Sequence, residues 1–156
     1  MVLVRYLIVF AILSSATLSQ AYDVLFEGES LYHHVRVTEE EGFRNLAFDR
    51  TRGTQSTVKV SDPIFLYYVY TRLAFAGLAF CENPQDVLFV GLGGGSMPRF
   101  FRHHYPEADI DIVEIDPMVV EVARKYFFFS KEGEDPRMRV FVNDGRVFLR
   151  KTDKKY

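Results

Sequence analysis

The chain has a single cysteine, Cys81, among its 156 residues, which excludes an internal disulfide and any zinc site assembled from cysteines. Its expected place is the apolar end of a helix, as a small buried residue. Positive charge is not in excess: 19 Lys and Arg against 21 Asp and Glu leave a formal net charge of -2. The basic residues are dispersed rather than clustered, so no field is set up to hold a nucleic-acid backbone, and no nucleic-acid partner is expected. No internal repeat or low-complexity segment is visible. Apolar residues, by contrast, are plentiful: 48% of the chain is hydrophobic and 15% aromatic. That is enough to bury the core of one ordinary domain, or of one small domain and part of another.

The N-terminus differs from the rest. Arg5 precedes an apolar run from Tyr6 to Leu13, then a small polar stretch from Ser14 to Ser19, then Ala21 with Ser19 two places before it. A short charged region, an apolar middle too short to span a bilayer comfortably and a small-residue site are the parts of a secretory signal. Residues 1–21 are therefore read as a signal peptide, cleaved after Ala21. The mature chain is expected to be exported, periplasmic or secreted, and to hold no membrane. The alternatives are an uncleaved N-terminal anchor or a buried first strand of a cytoplasmic chain.

Residues 22–61 carry short alternating runs, Tyr32 to Val37, Asn45 to Phe48 and Ser56 to Val60. They are separated by Glu39-Glu-Glu-Gly42 and by Arg50-Thr-Arg-Gly53, so they read as antiparallel strands of a small β-rich domain. From Asp62-Pro63 to Phe80 the apolar spacing predicts one mostly buried helix, capped by Asp62 with Pro63 in its first turn. After Asn83-Pro84 the pattern is strand Val87 to Val90, helix Ser96 to Tyr105, strand Ile110 to Glu114 and helix Pro117 to Phe128. Strand Arg139 to Val142 and a helix from Gly145 follow. Alternating strands and helices predict an α/β architecture, a parallel sheet with right-handed crossovers occupying residues 62–156. Three strands make only half of a doubly wound sheet, so the sequence reads as a piece of a longer protein.

The chemistry concentrates at strand ends. Gly91, Gly93, Gly94 and Gly95 follow the first parallel strand, with Ser96 expected to cap the next helix and Pro98 in its first turn. Such a loop lets backbone amides approach an anionic group at the positive end of a helix. Glu114 lies about 20 residues beyond, at the tip of the neighbouring strand, where an acid can accept both hydroxyls of a ribose. Strand, glycine turn, helix, strand and carboxylate together make a Rossmann-type nucleoside site. The third glycine of a dinucleotide fingerprint is replaced by Ser96, so the match to NAD is imperfect. Asp116 before Pro117 reads as a helix cap. Asp144-Gly145 ends the third strand on the same edge, where a carboxylate can accept from an adenine amine or simply open a helix. The pairs His33-His34 and His103-His104 point their members in different directions, so neither chelates one ion, and no metal site is expected. Tyr126 to Phe129 reads as core or subunit contact, and Glu39 to Glu41 as a solvated turn.

These residues resemble the spermidine synthase (polyamine aminopropyltransferase) family. The resemblance is carried by Glu29-Ser-Leu-Tyr32, Leu46-Ala-Phe-Asp49 with Gln55-Ser56, Asp86 to Gly91 with its glycines, Glu114-Ile-Asp116 and Asn143-Asp144-Gly145. It implies a small N-terminal β-hairpin domain followed by a partial, methyltransferase-like Rossmann domain, and a homodimer. It implies aminopropyl transfer from decarboxylated S-adenosylmethionine to an amine acceptor, with no covalently bound cofactor. In such enzymes Gln55 and the loop Gly91 to Gly95 would line the sulfur side of the nucleoside, Glu114 would bind the ribose and Asp144 the adenine amine. Gly94, however, stands where the family loop carries an aspartate, and Pro63 and Tyr68 stand where acids are expected. A cationic diamine needs carboxylates in place of its water. The family's general base lies on a fourth strand, beyond Tyr156, so no catalytic residue is named. Two alternatives stay open: an S-adenosylmethionine-dependent methyltransferase, and a non-catalytic nucleoside-binding homologue.

Overall fold

The computed structural model describes residues 22–49, 53–81, 83–131 and 133–156. The expected signal peptide, and Arg50 to Arg52 of the second expected turn, lie outside the described residues.

Four strands come first: β1 (Asp23–Glu29), β2 (His34–Glu40), β3 (Phe43–Phe48) and β4 (Thr54–Lys59). They pair antiparallel in sequence order. The turn between β2 and β3 is narrower than Glu39 to Gly42, because Glu39 and Glu40 pair within the ladder and only Glu41 and Gly42 turn. Both take positive φ, 49° and 79°, the backbone of a two-residue hairpin turn that follows strand twist. Glu39 is instead held by Arg44 Nε at 2.6 Å.

The expected helix over 62–80 is much shorter. Helix α1 covers Val69–Ala74 and is followed by a 3-10 helix at Phe75–Phe80. Asp62 caps nothing; its carbonyl accepts from Phe65 N in a turn. Proline and the aromatic and β-branched run Ile64 to Tyr70 are poor helix formers, which lets that turn win. The helix is also not buried: Val69, Tyr70 and Leu73 are 61%, 59% and 66% exposed. Cys81, expected to be buried, is exposed as a result.

The second sheet holds β5 (Asp86–Val90), β6 (Asp109–Glu114) and β7 (Met138–Val142), parallel and in that order. Helices α2 (Ser96–His104), α3 (Pro117–Tyr126) and α4 (Gly145–Lys151) follow their strands. Helix α3 joins the two sheets. Its Val120 and Ala123 pack with Ile110 and Ile112 of β6, while Val119 and Val122 pack with Val35, Val37, Leu46 and Val58 of the antiparallel sheet. The aromatic run at its end is mainly core: Phe127 and Phe129 are 0% and 4% exposed. His33 and His34 find separate neighbours. His33 stacks on Phe48 at 4.3 Å, and His34 Nε2 lies 3.0 Å from Glu27.

On the other face of β6, Asp111 is 2% exposed and accepts from Arg139 Nε at 2.7 Å, Tyr156 Oη at 2.8 Å and Lys154 Nζ at 3.1 Å. Burial alone would raise its pKa, but these donors outweigh it and hold the carboxyl below its ordinary range.

Candidate functional site

Between the two sheets, where β5 empties into the glycine loop, lies a cleft of about 350 Å³. Gly91, Gly93, Ser96 and Glu114 line it from the parallel sheet, and Gln55 and Ser56 from β4.

Glu114 is the centre of this arrangement. It is 8% exposed, and each carboxylate oxygen accepts one backbone amide, Oε2 from Leu92 at 2.8 Å and Oε1 from Asp116 at 3.0 Å. A buried carboxylate without donors would be costly, and these two amides supply them. The glycine loop is thereby tied to the end of β6, and Gly91 N reinforces the tie by donating to Val113 O at 2.7 Å. Each oxygen keeps a further lone pair, so two more donors can be accepted.

The glycines divide by role. Gly91 and Gly93 line the cleft. Gly94 and Gly95 are buried behind it, and packing explains them. A Cβ on Gly94 would stand 2.7 Å from Ser56 Oγ and 2.8 Å from Phe127 Cδ1. One on Gly95 would stand 2.5 Å from the Phe129 ring. Gly95, at φ 68°, is the residue that precedes α2, and no side chain caps the helix. Ser96, expected as the cap, is already the first helical residue; its hydroxyl instead lies 3.4 Å from Ser56 Oγ.

Asp116 does cap its helix, with Oδ1 accepting from Met118 N at 2.9 Å. It is wholly buried, because Oδ2 also accepts from Ser30 Oγ at 2.5 Å, a tie from the β1–β2 connection to α3. Asp144 does the same for α4, accepting from Arg146 N at 2.8 Å and Val147 N at 3.2 Å. Those bonds, Val147 first, then Arg146 through backbone and side chain, hold its carboxyl below the ordinary range. Asp144 is separate from the main cleft; it shares a shallow pocket with Gly91, Glu114 and Ile115. Of the residues predicted from sequence, Gln55, Gly91, Gly93 and Glu114 thus meet in one cleft, with Asp144 beside them.

Two contributors were not foreseen. Ser56 follows Gln55 on a strand, where alternation would send it to the other face. Arg99 sits on α2, donating Nε to Pro63 O at 2.8 Å and Nη1 to Phe127 O at 2.5 Å, with Gly94 O at 3.5 Å. Burial pulls its pKa down to about 10. Its partners come from three separate segments and are backbone carbonyls, so no side-chain pattern announces it.

Comparisons with known proteins bear on the family and the fold. The family model of the spermine/spermidine synthase domain matches residues 68–156. The polyamine aminopropyltransferase of Vibrio vulnificus (strain CMCP6) is 35% identical over 153 residues, 96% of this chain and 50% of that protein. The eEF1A lysine and N-terminal methyltransferase of Mus musculus is 42% identical over 95 residues, 56% of this chain and 13% of that protein. A spermidine synthase solved in complex with the transition state analogue AdoDATO superposes with a TM-score of 0.66 at 25% identity, covering 82% of this chain and 43% of that one. The chain spans about half the length of the aminopropyltransferase it matches.

Proposed function

Because this chain belongs to the spermine/spermidine synthase family, we propose that it binds an S-adenosylmethionine-type nucleoside across the glycine loop, for aminopropyl transfer from decarboxylated S-adenosylmethionine to an amine acceptor. The observation that carries the reading is Glu114. Its carboxylate is fixed at the cleft by Leu92 N and Asp116 N, with lone pairs left for the two hydroxyls of a ribose. Asp144, in the adjoining pocket, is the acceptor for an adenine amine, and Gln55 with Gly91 and Gly93 borders the sulfur side.

The N-terminal sheet favours the aminopropyl reading. The aminopropyltransferase match runs over 96% of the chain, antiparallel sheet included, and that sheet supplies Gln55 and Ser56 as a wall of the cleft. In the reaction, an amine nitrogen attacks the methylene next to the sulfonium. The carbon–sulfur bond breaks, its electron pair stays on sulfur to leave neutral methylthioadenosine, and the new ammonium gives up a proton. Positioning is what this chain's residues contribute. Export and a homodimer belong to the proposal, the first resting on residues 1–21 and the second on the family resemblance.

One observation favours a second reading, methyl transfer from S-adenosylmethionine. The space beside Gly94 is filled by Ser56 and Phe127, so no acid stands there to receive a substrate ammonium. Calorimetric titration with methylthioadenosine, S-adenosylmethionine and its decarboxylated form separates the readings. Preference for the decarboxylated form is expected for aminopropyl transfer, and preference for the carboxylated form moves the assignment to methyl transfer. If none of the three binds, the fold is retained without the site and both enzyme readings fail.

A further inference from the structure

A regular strand turns successive side chains to opposite faces. The ladder between β3 and β4 breaks this rule at one place: Leu46 pairs with Ser56 and Ala47 with Thr54, which leaves Gln55 as an extra, unpaired residue. That is a β-bulge, a device that re-aims side chains. Its consequence is that Gln55 and Ser56, adjacent in sequence, line the same cleft.

Of the two, Ser56 is buried and Gln55 exposed. Ser56 is 8% exposed, its Oγ is 3.4 Å from Ser96 Oγ, and it occupies the space that any side chain at Gly94 would need, at 2.7 Å from the position of a Cβ there. The Phe127 ring crowds the same position, at 2.8 Å. The polar surface at this end of the cleft is therefore made by a hydroxyl delivered from the antiparallel sheet, not by the glycine loop itself. A hydroxyl with a partner as distant as 3.4 Å retains capacity to donate and to accept.

We propose that Ser56 is a specificity-determining residue that contacts the polar, amino-bearing end of the chain attached to the nucleoside's sulfur. The assignment rests on the nucleoside-binding reading above and deepens it: the nucleoside half is held by Glu114, while the sulfur-linked chain is read by the bulged strand. Ser96, next to Ser56, is the supporting hydroxyl.

The test is calorimetric titration of the full chain and of Ser56→Ala and Ser56→Asp with the three nucleosides. Methylthioadenosine, which ends in a methyl group, is the internal reference. Ser56→Ala is expected to weaken both chain-bearing nucleosides several-fold relative to methylthioadenosine, the scale of one hydrogen bond. Ser56→Asp is expected to shift the ratio of decarboxylated to carboxylated affinity about tenfold toward the decarboxylated form, the scale of one new ion pair. Unchanged ratios in both variants overturn the assignment. If circular dichroism shows that Ser56→Asp does not fold, an unchanged ratio in Ser56→Ala alone overturns it. Methylthioadenosine distinguishes the two levels: if it binds while the ratios stay fixed, only Ser56 is wrong. If it does not bind the wild-type chain, the nucleoside reading fails and takes this one with it.

Discussion

The ends of β6 and β7 use one local device in two environments. Each strand runs out into an aspartate that caps the following helix, Asp116 for α3 and Asp144 for α4. β6 is the central strand of its sheet. Its end carries Glu114 and Asp116, 8% and 0% exposed, whose oxygens are shared among the glycine loop, the next helix and the β1–β2 connection. β7 is an edge strand, and the Asp144 side chain at its end is 31% exposed, accepting hydrogen bonds from Arg146 and Val147 of its own helix turn. The capping geometry is alike, but burial turns the β6 end into a junction and leaves the β7 end a partly exposed local cap.

Substitutions at the β6 end should therefore have the larger consequences. Glu114→Ala removes the acceptor of two buried amides, Leu92 N and Asp116 N. It should cost roughly 2–4 kcal/mol of stability by urea unfolding and about a hundredfold in methylthioadenosine affinity. An unaffected affinity would mean that the junction is purely structural. Asp116→Ala takes a cap from α3 and the partner of Ser30 together. A loss of about 2–3 kcal/mol is expected, with nucleoside binding retained once the protein is folded; a loss no larger than that of Asp144→Ala would erase the distinction between the two ends. Gly94→Ala probes the loop that Glu114 holds. Its Cβ meets Ser56 and Phe127 below 3 Å, so a loss of about 1–2 kcal/mol is expected from overpacking. A thermal melt checks it, and a stabilised variant would show the contact to be loose.

Much of the junction was legible in the sequence because its signals are local. The apolar run Val87 to Val90 empties into glycines at Gly91, and Asp116-Pro117 marks a helix start by chemistry confined to adjacent residues. Glu114 was readable from spacing, since strand tips on one edge recur at about the interval of one strand–helix unit. What was not legible depends on partners far along the chain. The Gly94–Phe127 contact and the carbonyls around Arg99 arise only when α3 docks. Ser56 reaches the cleft through a register slip between β3 and β4 that alternation cannot foretell. The length of α1 was overestimated because the apolar spacing from Ile64 to Leu78 suits a helix, whereas Pro63 and the turn to Phe65 delay the start to Val69.

The smallest effect should come at the β7 end, and its sign follows from the cap. Bonds from Val147 N and Arg146 N hold the Asp144 carboxyl below its ordinary value in the folded chain. The unfolded chain therefore binds that proton first as pH falls. The cap's stabilisation is fully present above the ordinary carboxylate pKa, about pH 4, and is lost as pH drops through the lower folded value. Asp144→Asn keeps an oxygen acceptor but cannot titrate, so its urea midpoint should fall less steeply below about pH 4 than that of the parent, with near-neutral midpoints close together. Because Asp144 is only half-buried, salt should narrow the difference further. If the two acid limbs coincide at low salt, the cap carries no charge-dependent stability. If the variant instead loses methylthioadenosine affinity at neutral pH with its stability unchanged, the openness of the β7 end serves the ligand, as its position beside Glu114 implies.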